Sequence, residues 1–120
     1  MGKVLVIDDS SFQRKIISGV LTQNGYNVVL TENGKEGLER ALQEKPDLIF
    51  TDLLMPEYDG FWLLEQLQSH DLSIPVIVLT SDIQKTTEQR CRGLGAVTIL
   101  NKPVNKEQVI SAVRTILGNP

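Results

Sequence analysis

Five short apolar runs, rich in β-branched residues, punctuate the sequence at Val4 to Ile7, Val28 to Leu30, Leu48 to Phe50, Val76 to Leu79 and Val97 to Leu100. Each has the length of a strand and lacks the alternation of a sheet with one wet face, so each reads as a strand buried on both faces. The segments between them are of helical length, with apolar residues three and four apart: Phe12, Ile16, Val20; Leu38, Ala41, Leu42; Leu64, Leu67; Ile83, Thr87, Cys91, Leu94; Val109, Val113, Ile116, Leu117. Such spacing draws one stripe along a helix. Crossovers this long exclude hairpins, so the strands must be parallel, with right-handed connections and helices on both faces. The predicted class is α/β, a (βα)5 doubly wound sheet of five parallel strands.

Local chemistry supports the same division. Ser10/Gln13, Asn33/Glu36 and Asn105/Gln108 have the offset at which a capping side chain and an amide or carboxylate three residues on satisfy each other's backbone donors. Stop signals follow at Gly25, at Pro46 after Lys45, at Gly93 and Gly95, and at Gly118 before Pro120. With 120 residues, 41% apolar, the chain reads as one domain over 1–120 with a core large enough to need no staple. Cys91 alone can form no internal bridge, which favours a reducing, cytoplasmic setting. The first apolar run is four residues long and ends at two aspartates, unlike a signal peptide or a membrane span. Twelve basic against fifteen acidic residues, with no Lys/Arg run, predict no direct nucleic-acid contact and no membrane insertion.

In an open parallel sheet, ligands bind beyond the carboxyl ends of the strands. The residues there are Asp8 and Asp9 after the first run, Thr51 and Asp52 after the third, Thr80 and Ser81 after the fourth, and Asn101, Lys102 and Pro103 after the fifth. Taken singly they are bland: acids after a strand cap helices, and a lysine before proline can lie along the surface. Together they gather three carboxylates on one edge, which raise one another's pKa unless a cation neutralises them. Mg²⁺ is the expected cation, because it takes hard oxygen ligands, few carboxylates and phosphate oxygens. Protonated Lys102 is no metal ligand but can hold a carboxylate or phosphoryl oxygen, and the Thr80 hydroxyl can donate to the same oxygen.

Asp8-Asp9, the stretch Asp52-Leu53-Leu54-Met55-Pro56-Glu57-Tyr58-Asp59-Gly60, Leu79-Thr80-Ser81 and Lys102-Pro103, in this order and spacing, resemble the CheY-like receiver domains of two-component response regulators over the whole chain. The resemblance implies a flavodoxin-like strand order 2-1-3-4-5 and a phosphorylation-switched signalling module, not a turnover enzyme. It implies Asp52 as phosphoacceptor, Thr80 and Lys102 on the phosphoryl group, and a cis peptide at Lys102-Pro103. Mg²⁺ would be held by Asp9, Asp52 and the Leu54 carbonyl, with Asp8 acting mostly through water. The implied partners are a histidine kinase or phosphotransfer protein and a downstream protein target. The stretch Thr80 to Gln84, with Cys91 and Leu94-Gly95-Ala96, also resembles receivers that work with CheC-type chemotaxis phosphatases. A stand-alone regulator and a receiver within a longer regulator both fit.

Three positions depart from the family pattern. Ile99 stands where an aromatic usually reports phosphorylation, Leu54 cannot orient a hydrolytic water, and Asp82 places an acid two residues past Thr80. Cys91 reads as a core residue, His70 as solvated, and Trp62 as an exposed residue and a candidate contact for a partner. Two other classes share parts of the pattern. A flavodoxin-like electron carrier would need a phosphate cradle where Asp8 and Asp9 repel phosphate, and an aspartyl phosphatase would want an acid at Leu54.

Overall fold

The computed structural model describes residues 2–82 and 84–118; Ile83, expected on the fourth helix stripe, and Pro120, expected as a stop, lie outside the described residues. Its elements are β1 (Lys3–Ile7), α1 (Ser11–Gln23), β2 (Asn27–Thr31), α2 (Gly34–Glu44), β3 (Leu48–Asp52), α3 (Gly60–Ser69), β4 (Val76–Thr80), α4 (Lys85–Gly93), β5 (Thr98–Asn101) and α5 (Lys106–Leu117). The five strands are parallel in the order β2-β1-β3-β4-β5. This is the (βα)5 doubly wound architecture expected above.

Successive strand residues face opposite layers. Val4, Val6, Leu48, Phe50, Ile77 and Leu79 pack with residues of α1 and α5. Leu5, Ile7, Ile49, Val76 and Val78 pack with α2, α3 and Cys91 of α4. A run with no polar residue is what a strand between two helical layers requires. That holds for β1, β3 and β4 but not for β2 and β5, whose residues are mostly half-buried or exposed, with Leu30 43% exposed. The sheet order explains the correction: both are edge strands, which the helices cover only in part.

The α1 stripe also differs from expectation. Ile17, Val20 and Leu21 face the core, whereas Phe12 is 72% and Ile16 38% exposed. Two apolar rows one residue apart satisfy the same periodicity, and the core selects the one nearer α5. On α2 the buried residues are Gly34, Gly37 and Ala41, and Leu42 turns outward. These small residues let the helix lie close. A Cβ at Gly34 would collide with the Tyr58 carbonyl oxygen, and one at Gly37 with Ile7 Cδ1.

Ser10, Asn33 and Asn105 cap α1, α2 and α5 by accepting from the N–H groups of Gln13, Glu36 and Gln108. The reciprocal box closes at Asn105, whose N–H donates to Gln108 Oε1 at 3.0 Å. Asp59 caps α3 in the same way, accepting from Trp62 N–H at 2.9 Å. Trp62 itself is half-buried against the α2/α3 layer with its ring 4.7 Å from that of Tyr58, so it is not the exposed residue its polar neighbours suggest. No helix among the described residues is long and apolar enough to cross a membrane.

Candidate functional site

The chain runs from β1 outward to β2, then back past β1 to β3, β4 and β5, so the strand order reverses between β1 and β3. The carboxyl ends at such a switch point diverge and leave a crevice. Asp8 and Asp9 follow β1, and Asp52 ends β3; one carboxylate oxygen from each lies within 4.8 Å of the other two. Asp52 and Thr80 are the last ladder residues of their strands, so sheet hydrogen bonding fixes their backbone. The peptide between Lys102 and Pro103 is cis, as the resemblance implies. Lys102 Nζ lies 3.0 Å from Asp52 Oδ1 and 3.9 Å from Asp8 Oδ2.

Burial decides the electrostatics. Asp8 is fully buried and Asp52 is 5% exposed, whereas Asp9 opens to solvent. Desolvation pushes the Asp8 carboxyl up to about 6, against the Ser10 N–H that donates to its Oδ1 at 2.9 Å; the negative charge of Asp52 raises it further and Lys102 lowers it. Burial also raises the Asp52 carboxyl, and the hydrogen bond and charge of Lys102 oppose that rise. Among the described residues, buried Asp8 Oδ2 has no hydrogen-bond partner, although backbone and side-chain oxygens in a protein interior almost always find one. An oxygen of that kind, within reach of two further carboxylates, suits a hard cation or a water that the cation holds.

Thr80 is buried at the end of β4, and its Oγ1 accepts from Asp82 N–H at 3.0 Å. Leu54, in the loop after β3 and two residues past Asp52, exposes 63% of its surface. Asp82 does not project at the crevice as a free acid. Its Oδ1 accepts from Gln84 N–H at 3.0 Å and its Oδ2 from the Thr87 hydroxyl at 2.7 Å, which together hold its carboxyl below the usual range. Ile99 is half-buried on β5 beside Val78, in the α2/α3/α4 layer. Cys91 is fully buried in that layer, and burial pushes its thiol up. His70 is exposed, with Nδ1 2.8 Å from the Gln66 carbonyl oxygen.

One residue of the site escaped sequence reasoning. Arg14 donates from Nη1 to the Asp8 carbonyl oxygen at 2.6 Å, and its Nη2 lies 3.5 Å from Glu32 Oε1. It ties the β1–α1 loop to the β2–α2 loop. Nothing in its spacing distinguishes it from an ordinary helix-surface arginine.

Comparison with known proteins accords with this arrangement. The family model described as response regulator receiver domain matches residues 4–114. Protein PilH of Pseudomonas aeruginosa is 34% identical over 120 residues, covering 98% of this chain and 99% of that protein. Chemotaxis protein CheY of Bacillus subtilis is 30% identical over 117 residues, covering 97% and 98%. The solved structure of the chemotaxis response regulator CheY4 of Vibrio cholerae superposes with a TM-score of 0.92 at 30% identity, covering 98% of this chain and 99% of that one. Neither an electron carrier nor a phosphatase accounts for likeness over the whole length, and the chain belongs to the response regulator receiver domain family, the phosphorylation-switched modules of two-component signalling.

Proposed function

We propose that residues 1–120 form one receiver in which Asp52 accepts a phosphoryl group from a histidine kinase or phosphotransfer protein, after which the domain binds a downstream protein. The observation that carries this reading is the position of Lys102 Nζ, 3.0 Å from Asp52 Oδ1, in a crevice that also collects Asp8 and Asp9. Receivers as a class interact with kinases and targets and are not turnover enzymes; the phosphoryl chemistry assigned to Asp52 is specific to this proposal. A CheC-type phosphatase is a further proposed partner.

The transfer needs little from the protein beyond positioning and charge neutralisation. An Asp52 carboxylate oxygen forms a bond to phosphorus as the bond from phosphorus to the donor's nitrogen or oxygen breaks, and that bond's electron pair leaves with the donor. Lys102 and Thr80 then hold phosphoryl oxygens, one as a point charge and one through its hydroxyl proton. The residues fit Mg²⁺: Asp9, Asp52 and the Leu54 carbonyl would hold it, with Asp8 mostly through water. When bound it supplies charge neutralisation for the carboxylates and the phosphoryl oxygens.

Acetyl phosphate tests the proposal without a cognate kinase. Incubated with Mg²⁺, the protein should gain one phosphoryl mass by intact-mass spectrometry, and with a chelator it should gain none. Labelling that persists under chelation, or no labelling in either condition, contradicts the reading.

A further inference from the structure

A threonine hydroxyl offers one proton and two acceptor sites, and it rotates to suit whatever surrounds it. At Thr80 one acceptor site is filled by the Asp82 N–H at 3.0 Å, and among the described residues the hydroxyl donates to no group. The Asp82 peptide is itself held. Its carboxylate accepts from Gln84 N–H at 3.0 Å and from the Thr87 hydroxyl at 2.7 Å, so both oxygens are tied to the start of α4. Gln84, the residue at the N-cap position, makes no capping bond with its own side chain, and Asp82 instead accepts from the Gln84 amide and the Thr87 side chain. Three hydrogen bonds thus run from the first turn of α4 to the hydroxyl at the end of β4.

We infer that Asp82 and Thr87 are positioning residues for phosphoryl transfer: by fixing the Asp82 amide against Thr80 Oγ1, they leave the Thr80 proton free to donate to the incoming phosphoryl oxygen. This rests on the acceptor assignment of Asp52 and goes beyond it. A donor oriented before the reaction stabilises developing charge without reorganising at the moment of transfer. An acid whose two oxygens already accept from the Gln84 N–H and the Thr87 hydroxyl acts through its backbone and not as a free repelling charge.

Thr87→Val tests this because it removes the hydroxyl at nearly constant shape and leaves the Asp82 charge in place. With saturating acetyl phosphate and Mg²⁺, the labelling rate of Thr87→Val should fall by roughly three- to tenfold, while Mg²⁺ affinity stays at the parent value. Thr87→Ser should restore the rate. In a Thr80→Ala background, Thr87→Val should add nothing, because the hydroxyl it positions is gone. Thr87→Ala serves equally if the valine variant does not fold. A Thr87→Val rate equal to the parent's, or an equal slowing with and without Thr80, overturns the inference. So does faster labelling by a folded Asp82→Asn protein, which is the mark of a repelling charge. A parent that takes no label defeats the acceptor assignment and this inference with it; a parent that labels while Thr87→Val matches it defeats this inference alone.

Discussion

The ammonium of Lys102 reaches from the edge strand β5 across the end of β4 to lie 3.0 Å from Asp52 Oδ1. A cation so placed keeps a buried carboxylate charged, and removing it leaves Asp52 facing Asp8 and Asp9 uncompensated. Lys102→Met should therefore lower metal-free stability at neutral pH by about 1–2 kcal/mol, a moderate figure because the lysine is partly solvated. The loss should shrink toward pH 5 as the Asp8 carboxyl, pushed up to about 6, protonates and relieves the crowding around Asp52. Chemical denaturation at the two pH values checks this.

Asp8 sets a second pH dependence, with a definite sign. Its folded carboxyl titrates near 6 against an ordinary value near 3.8, so between those values the folded protein holds more protons than the unfolded chain. Metal-free stability must fall as pH rises through that window, and above about 6 the full cost is present, at most about 3 kcal/mol. Glu44 and Asp82, whose carboxyls are lowered, act oppositely and only toward the acid side. Asp8→Asn keeps an oxygen for the Ser10 N–H and should flatten the slope between pH 4.5 and 7.5, gaining stability at pH 7.5. Saturating Mg²⁺ should raise the melting temperature of the parent by several degrees and leave Asp9→Ala unchanged. Equal pH slopes in parent and Asp8→Asn would remove Asp8 as the cause.

Leu54 should govern how long the phosphoryl group survives. Hydrolysis needs a water in line behind phosphorus, and an exposed leucine beside Asp52 can exclude that water but not hold it. Leu54→Asn should speed phosphate loss several-fold, about 1 kcal/mol in the barrier, with a smaller change in labelling. A lifetime equal to or longer than the parent's, measured at saturating Mg²⁺, contradicts this.

The approach of α2 to the sheet gives a prediction whose sign opposes helix propensity. Gly→Ala normally favours a helix, but a Cβ at Gly34 meets the Tyr58 backbone oxygen, which cannot move without displacing the β3–α3 loop. Gly34→Ala should cost about 1–3 kcal/mol by denaturant unfolding. Gly37→Ala, whose nearest clashes are with Cδ1, Cγ1 and Cγ2 of the Ile7 side chain and not with backbone, should cost less.

Much of this fold was legible because β1, β3 and β4 are buried on both faces, and such runs separated by helical segments point to a parallel sheet between helices. The edges were not legible. Val28 and Val29 look like core residues in sequence, but exposure at an edge depends on strand order and not on residue type. On α1, Ile16 and Ile17 are adjacent and equally apolar, so periodicity alone could not say that Ile17 faces the sheet. The residues beyond the strand ends were legible as a cluster because topology alone brings Asp8, Asp9, Asp52 and Lys102 to one crevice. Arg14 and the engagement of Asp82 were not, since both depend on side-chain directions that loops determine.

The central claim is that Asp52 is the phosphoacceptor, and locating the phosphoryl group after acetyl phosphate and Mg²⁺ treatment tests it most directly. Peptide-level mass spectrometry, with the acyl phosphate trapped by reduction, should place the modification on Asp52 alone, and Asp52→Asn should take no label because an amide is not a comparable nucleophile. A modification mapped to Asp8, Asp9 or any other residue, or full labelling of a folded Asp52→Asn protein, would contradict it.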